Sequence, residues 1–194
     1  MGQAMPLDID ATLSDDALMV MFANGDPVAA RELSLRHLGT VVAFAKRLIP
    51  SHADAEDIAQ EAMLRLWKTA RDWRPGEAKV TTWLYRVTRN LCIDKLRQRK
   101  FSDIDQIAEP ADESPSVQAR LENNDRMSAL NQALSELPER QRIAVTLRHI
   151  EGLGNPEIAE ILEVSVEAVE SLTARGKRML TTLLETRKKE LGLS

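Results

Sequence analysis

Residues 155–178 read Asn-Pro-Glu-Ile-Ala-Glu-Ile-Leu-Glu-Val-Ser-Val-Glu-Ala-Val-Glu-Ser-Leu-Thr-Ala-Arg-Gly-Lys-Arg. The stretch opens on a helix-start signal: Asn155 as N-cap, Pro156 at the first helical position and Glu157 in the first turn. A short helix is predicted from Pro156 to about Leu162. Glu163-Val164-Ser165 then makes a turn, and Ser165 caps a longer helix from Val166 to about Leu184. Such a pair is the outline of a helix-turn-helix. Ala159 is small, as a helix crossing requires, and Ile158, Leu162, Val164 and Val169 can fill the angle between the helices. Val169, Thr173, Gly176 and Leu180 recur at helical spacing and are expected to face inward. Ser171, Ala174, Arg175 and Arg178 are left outside, with Glu170 and Lys177 flanking. Small and basic residues on an outer face suit close approach to DNA. An ordinary helical hairpin with a solvated face is the plainer alternative.

The rest of the chain fits a helical protein. Its 194 residues are 43% hydrophobic but only 4% aromatic, a mix that argues against sandwiches and barrels built on aromatic, β-branched strands. Upstream, Leu130, Leu134 and Leu137 form one stripe, and Pro138 opens a helix that stops at Gly152. Ser14 is a plausible N-cap for a first short helix ending at Gly25. Asp26-Pro27 starts a second helix, which runs to about Ile49. Asp54 can cap a third, reaching Trp73, and a fourth runs from about Val80 to Arg99. A single cysteine, Cys92, excludes an intramolecular disulfide and makes a reducing compartment the default. No apolar run approaches the ~18–20 residues of a membrane span, and the acidic start is unlike a signal peptide. The expectation is a soluble cytoplasmic protein with no membrane insertion.

Charge is segregated along the chain although the total is only −4. Residues 74–100 set Arg74, Lys79, Arg86, Arg89, Lys95, Arg97, Arg99 and Lys100 against Glu77 and Asp94. Such a basic block is an electrostatic footprint whatever the total charge. On a helical wheel Val80, Trp83, Leu84, Val87 and Leu91 gather on one side, while Arg86, Arg89, Asn90, Arg97 and Lys100 gather within a sector of ~100° on another. The first side can pack and the second can track a phosphate backbone. Asn90 is the one amide there, able both to donate to and accept from a base edge. Trp83 is a tempting stacking platform, but its place on the apolar side favours core packing. Residues 101–125 carry only Arg120 against seven acids, with Pro110 and Pro115, and read as a flexible acidic linker. The fold expected is all-α: two small helical domains, 1–100 and 126–194, joined by that linker, with the helix-turn-helix in the second.

These segments, in this order, resemble the extracytoplasmic-function (ECF) sigma factors of bacterial RNA polymerase. Asp54-Ala-Glu-Asp-Ile-Ala-Gln-Glu-Ala-Met-Leu-Arg-Leu-Trp67 is similar to the family's region 2.2, which binds the polymerase clamp. Thr82-Trp-Leu-Tyr-Arg-Val-Thr-Arg-Asn-Leu-Cys-Ile-Asp-Lys-Leu-Arg97 is similar to regions 2.3 and 2.4, which read and melt the −10 element. Leu137-Pro-Glu-Arg-Gln-Arg142, with the hairpin after it, is similar to region 4, which reads the −35 element. The resemblance implies core-polymerase contacts from Asp57, Gln60, Glu61, Leu64 and Trp67. It implies −10 contacts from Arg86, Arg89, Asn90, Arg97 and Lys100, with a flipped base held in the loop of about Arg74–Lys79. It implies −35 contacts from Ser171, Arg175, Lys177 and Arg178. Core RNA polymerase, promoter DNA and an anti-sigma factor are the implied partners, with no cofactor, no metal and no enzymatic activity of its own. Asp57 and Glu61 form an i, i+4 carboxylate pair, but no His or third acid shares their face, so a metal or acid–base site is not read there. Glu170 and Leu172 depart from the family, many members of which are basic at these positions. A sigma-like decoy that binds an anti-sigma factor but no DNA is the competing reading, and the basic 74–100 block argues against it.

Overall fold

A computed structural model describes residues 13–102 and 121–190, and among them regular structure is helical throughout. Helices α1 (Asp15–Ala23), α2 (Pro27–Leu48), α3 (His52–Thr69) and α4 (Val80–Ser102) form the N-terminal domain, with a 3₁₀ turn, Ala70–Asp72, after α3. Helices α5 (Leu121–Ser135), α6 (Glu139–Val145), α7 (Asn155–Leu162) and α8 (Val166–Glu190) form the C-terminal one. The linker expected over 101–125 falls largely outside the described residues, 103–120 being beyond them.

Local chemistry starts most helices. Ser14 Oγ accepts from Ala17 N, and Asp26 caps Val28 N ahead of Pro27. Two caps differ from the sequence reading. Ser51, not Asp54, caps α3, its Oγ accepting from Asp54 N at 3.2 Å. That leaves the Asp54 carboxylate for Lys95 Nζ, 3.1 Å away, and for Arg99, both on α4. Gly154, not Asn155, is the N-cap of α7, and Glu157 Oε2 reaches back to accept from Gly154 N at 2.9 Å. Helix α3 also ends earlier than expected, at Thr69, and the 3₁₀ turn carries the chain to Trp73.

The N-terminal core is built from Leu18 and Met19 of α1, Leu33 and Val41 of α2, Met63 and Leu66 of α3, and Val80 and Leu84 of α4. Ala55, Ala59 and Ala62 on α3 are fully buried, so α3 packs closely on its neighbours. Each fully buried Leu, Met or Val contributes about 1.5–3 kcal/mol relative to leaving it exposed. In the C-terminal domain Leu134, Leu137 and Val145 pack with Leu180 and Leu183 of α8. Gly176 is required where α8 crosses α6: a Cβ there would lie 2.6 Å from Val145 Cγ2 and 3.2 Å from the Gln141 carbonyl oxygen.

Between α6 and Gly152 the chain widens into a π turn, Thr146–Ile150, in which Glu151 N donates to Thr146 O at 3.0 Å. The two domains pack against one another. Phe44, Tyr85, Cys92 and Ile93 of the first share one apolar cluster with Ile143, Leu147, Ile158, Ile161 and Leu162 of the second. Helix α4 therefore buries two faces, one in its own domain and one against α7.

Candidate functional site

Three surfaces carry the residues singled out by sequence. On α3, Ile58 and Met63 turn into the core while Asp57, Gln60 and Leu64 stand outside. Leu64 is 51% exposed, an apolar side chain left half open among the described residues. Glu61 is half-buried, and its Oε1 accepts from Arg65 Nε at 2.8 Å. Trp67 is drawn further in than the others: its ring lies 5.0 Å from that of Phe22 and packs against the N-terminal core. The Asp54 carboxyl sits just inside this surface. Burial works to raise it, but the hydrogen bond from Lys95 and the charges of Arg99 and Lys95 outweigh burial and hold it below the ordinary carboxylate range. That ion pair fixes α3 against the far half of α4.

The outer face of α8 is the second surface. Glu163, at φ 56° and ψ 48°, adopts the left-handed conformation that ends α7, and Val164 N closes the turn on Ala159 O at 3.1 Å. Ser165 Oγ then accepts from Ala168 N and starts α8. Val169 and Gly176 are buried and Thr173 and Leu180 partly so, as the spacing predicts. Ser171, Arg175, Lys177 and Arg178 are all exposed. The His149 imidazole is held below its ordinary range by burial and then by the Lys177 and Arg148 charges, so the positive field of this side extends onto the preceding π turn. The two departures from the resemblance have structural explanations. Leu172 packs against the α7–α8 core. Glu170 Oε1 lies 3.5 Å from Asn155 Nδ2 at the start of α7, a long contact that holds the carboxylate back toward the first helix.

The third surface, on α4, is assembled differently. Val80 and Leu84 are buried in the N-terminal core, and Trp83 packs edge-on to Trp73 with ring centroids 6.5 Å apart, in keeping with a packing role. The loop before α4 is tied down by Asp16, which accepts from Trp73 Nε1 at 2.8 Å and from Gly76 N at 3.1 Å. An open pocket of about 570 Å³ lies between this loop and α7, lined by Gly76, Lys79 and Thr82 on one side and Pro156, Glu157 and Glu160 on the other. Asn90 and Arg97 are exposed. Lys100 belongs to α4, but its side chain lies outside the described residues. Arg86 and Arg89 face the second domain: Arg86 Nη1 is 3.9 Å from Glu160 Oε1, and Arg89 Nη1 donates to Ile161 O and to Asn90 Oδ1.

Sequence reasoning missed the residues that bring the domains together. Glu151 Oε1 pairs with Arg47 Nη1 at 2.7 Å, and its Oε2 accepts from Tyr85 Oη at 2.7 Å. The Arg47 and Glu151 side chains are only 12% and 7% exposed. Burial, followed by the Glu151 carboxylate, pushes the Tyr85 hydroxyl far above its ordinary range, so it remains a neutral donor. Lys79 Nζ meets Glu157 Oε1 at 2.7 Å. Glu157 reads in sequence only as the acid of a helix start, and Glu151 lies at the end of the helix expected to stop at Gly152.

Comparison with known proteins agrees with this layout. Sigma-70 region 2 matches residues 33–102, and Sigma-70 region 4 matches residues 127–180. The chain is 34% identical over 182 residues to the ECF RNA polymerase sigma factor SigE of Mycolicibacterium smegmatis, covering 90% of this chain and 70% of that protein. It is 28% identical to the ECF RNA polymerase sigma-E factor of Escherichia coli over 87% of this chain and 93% of that one. Among solved structures, CnrH in complex with the cytosolic domain of CnrY superposes with a TM-score of 0.66 at 29% identity, over 89% of this chain and 97% of that chain. The sigma factor RpoE of Bartonella quintana, solved with the anti-sigma factor NepR, has the same fold, with a TM-score of 0.65 at 24% identity over 80% of this chain and 96% of that chain. With region 2 and region 4 in order and a relative of this identity across most of its length, the chain belongs to the ECF family of RNA polymerase sigma factors.

Proposed function

We propose that this protein is a promoter-specificity subunit that binds core RNA polymerase, reads two promoter elements and assists strand opening. The division of labour follows the helices. The outer stripe of α3, Asp57, Gln60, Glu61, Leu64 and Trp67, docks on the polymerase, where an apolar Leu64 among polar neighbours suits a protein interface. Arg86, Arg89, Asn90, Arg97 and Lys100 of α4 hold the −10 strand. The loop tied by Asp16 offers the adjoining pocket to an unstacked base, whose capture offsets the lost stacking. Ser171, Arg175, Lys177 and Arg178 of α8 enter the −35 major groove.

The observation that carries this reading is the α8 outer face: small and cationic side chains, all exposed, on a helix whose opposite side is buried against α6 and α7. Residues 1–100 and 126–194 act as the two DNA-reading domains, with 101–125 as the linker between them. We infer from work on DNA with polymerase that the protein acts in the cytoplasm. Among the described residues no helix is long and apolar enough to cross a membrane. RpoE of Bartonella quintana has been solved with the anti-sigma factor NepR, and we infer an anti-sigma factor for this chain. The test is reconstitution with core polymerase on a promoter library. Productive initiation at a subset sharing two spaced elements supports the reading. Anti-sigma binding without any promoter selection would establish the decoy instead.

A further inference from the structure

The two domains meet through ion pairs that use the cations needed for the −10 strand. Glu157 takes Lys79, Glu160 approaches Arg86, and the Ile161 carbonyl takes Arg89. Behind them the buried Glu151 joins Arg47 of α2 to Tyr85 of α4. Resting on the assignment of α4 as the −10 reader, we propose that this packing is a closed, self-inhibited state in which Glu157 and Glu160 of region 4 stand in for the polyanionic strand, so that the promoter must displace α7 before α4 can read it.

Three observations favour a reversible clasp over a permanent core. The outer ties are exposed: the Lys79 and Glu157 side chains are 73% and 30% accessible, and those of Arg86 and Glu160 36% and 46%, so salt and competing anions reach them. The seam is imperfectly satisfied, because the buried Nε atoms of Arg47, Arg89 and Arg142 have no hydrogen-bond partner among the described residues. Each such atom bears its desolvation cost in the closed state and recovers its hydration on opening. Finally, the pocket beside the Asp16-tied loop has α7 as its second wall, through Pro156, Glu157 and Glu160. A base entering from a strand lying along α4 meets α7 in its path.

The chain carries its own reporter of opening. Cys92 is its single cysteine, 1% exposed in the shared cluster, with its thiol pushed up to about 12 by burial. The experiment uses the full chain and two readouts: the rate of Cys92 alkylation by a small maleimide, and anisotropy of a labelled single-stranded oligonucleotide carrying the −10 sequence. Closure lowers apparent affinity by the fraction of molecules that are open, so Glu157→Gln with Glu160→Gln should raise both alkylation rate and oligonucleotide affinity at least about fivefold. Glutamine at position 157 can still accept from Gly154 N, so the start of α7 is kept. Removing the same charge outside the seam, by Glu167→Gln with Glu185→Gln, should change neither. Heparin added to the unaltered protein, with no substitution to disturb folding, should also speed alkylation. Unchanged Cys92 reactivity in both the seam variant and the heparin-treated protein overturns the proposal. Faster alkylation without tighter oligonucleotide binding overturns the masking of a −10 reader and removes α4 from that role, while a reversible seam stands. Equal gains from the control variant reduce the effect to net charge and overturn it as well.

Discussion

Two basic helices that look alike in sequence end in opposite situations. The outer face of α8 stands open, with Ser171, Arg175, Lys177 and Arg178 exposed. The corresponding face of α4 is partly occupied, with Arg86 and Arg89 turned onto α7. Composition and periodicity report what a surface can attract. They do not report whether another part of the same chain already lies on it, because that depends on pairs such as Arg47 and Glu151, which are far apart in sequence.

The largest expected effect tests the occupied side. Glu151→Ala strands Arg47 in a largely buried seam, and breaking a buried pair from one end typically costs about 3–5 kcal/mol. The thermal transition should fall markedly, and Arg47→Met with Glu151→Leu should recover much of the loss. A fall of under about 0.5 kcal/mol, the usual range for a surface site, would place Glu151 in solvent and remove the contrast between the helices.

Gly176→Ala tests the open side from beneath. A methyl group 2.6 Å from Val145 Cγ2 forces α8 away from α6, and overpacking of this kind costs about 1–3 kcal/mol. Region 4 should lose stability and −35 binding together, measured by melting and by footprinting of the upstream element. An unaltered melting curve would mean that α8 shifts freely on α6.

Two truncations then sharpen the functional difference. Loss of a specific base contact costs about 1–3 kcal/mol and relaxes choice at that base pair. Arg175→Ala should weaken initial promoter binding through the upstream element. Asn90→Ala should allow closed complexes but lower permanganate reactivity of unpaired thymines near the start site. The reverse pattern would exchange the roles of α4 and α8.

The smallest effects on the fold itself come from α3. Leu64→Asp should leave the melting temperature within the ~0.5 kcal/mol range of surface substitutions while weakening binding to core polymerase in a titration. Acid should act nearby through Asp54, whose carboxyl is held below its ordinary value when folded. Its contribution is therefore full above the unfolded carboxylate range and is lost as pH falls through the lowered folded value. Asp54→Asn should flatten that part of the acid-stability profile.

Much of this was legible because it is local. Ser14, Asp26-Pro27 and Ser165 mark helix starts that the structure keeps, and the inward set Val169, Thr173, Gly176 and Leu180 follows from spacing alone. The misplaced caps arose where two neighbours could serve. Ser51 and Asp54 both suit the start of α3, and the choice is settled from outside by Lys95 and Arg99, which claim the carboxylate. The residues proposed for the −35 element, Ser171, Arg175, Lys177 and Arg178, are exposed as their spacing suggested. The packing of α7 on α4 was not legible, since its acids belong to another domain and carry no periodic signal.

The π turn at Thr146–Ile150 adds one residue to a helical revolution, and it comes immediately before Glu151. Wound as an ordinary helix at ~100° per residue, the same residues would carry the carboxylate further round the axis, away from Arg47 and Tyr85. The wide turn therefore serves as a spacer that aims the clasp, setting the angle at which one domain presents its acid to the other.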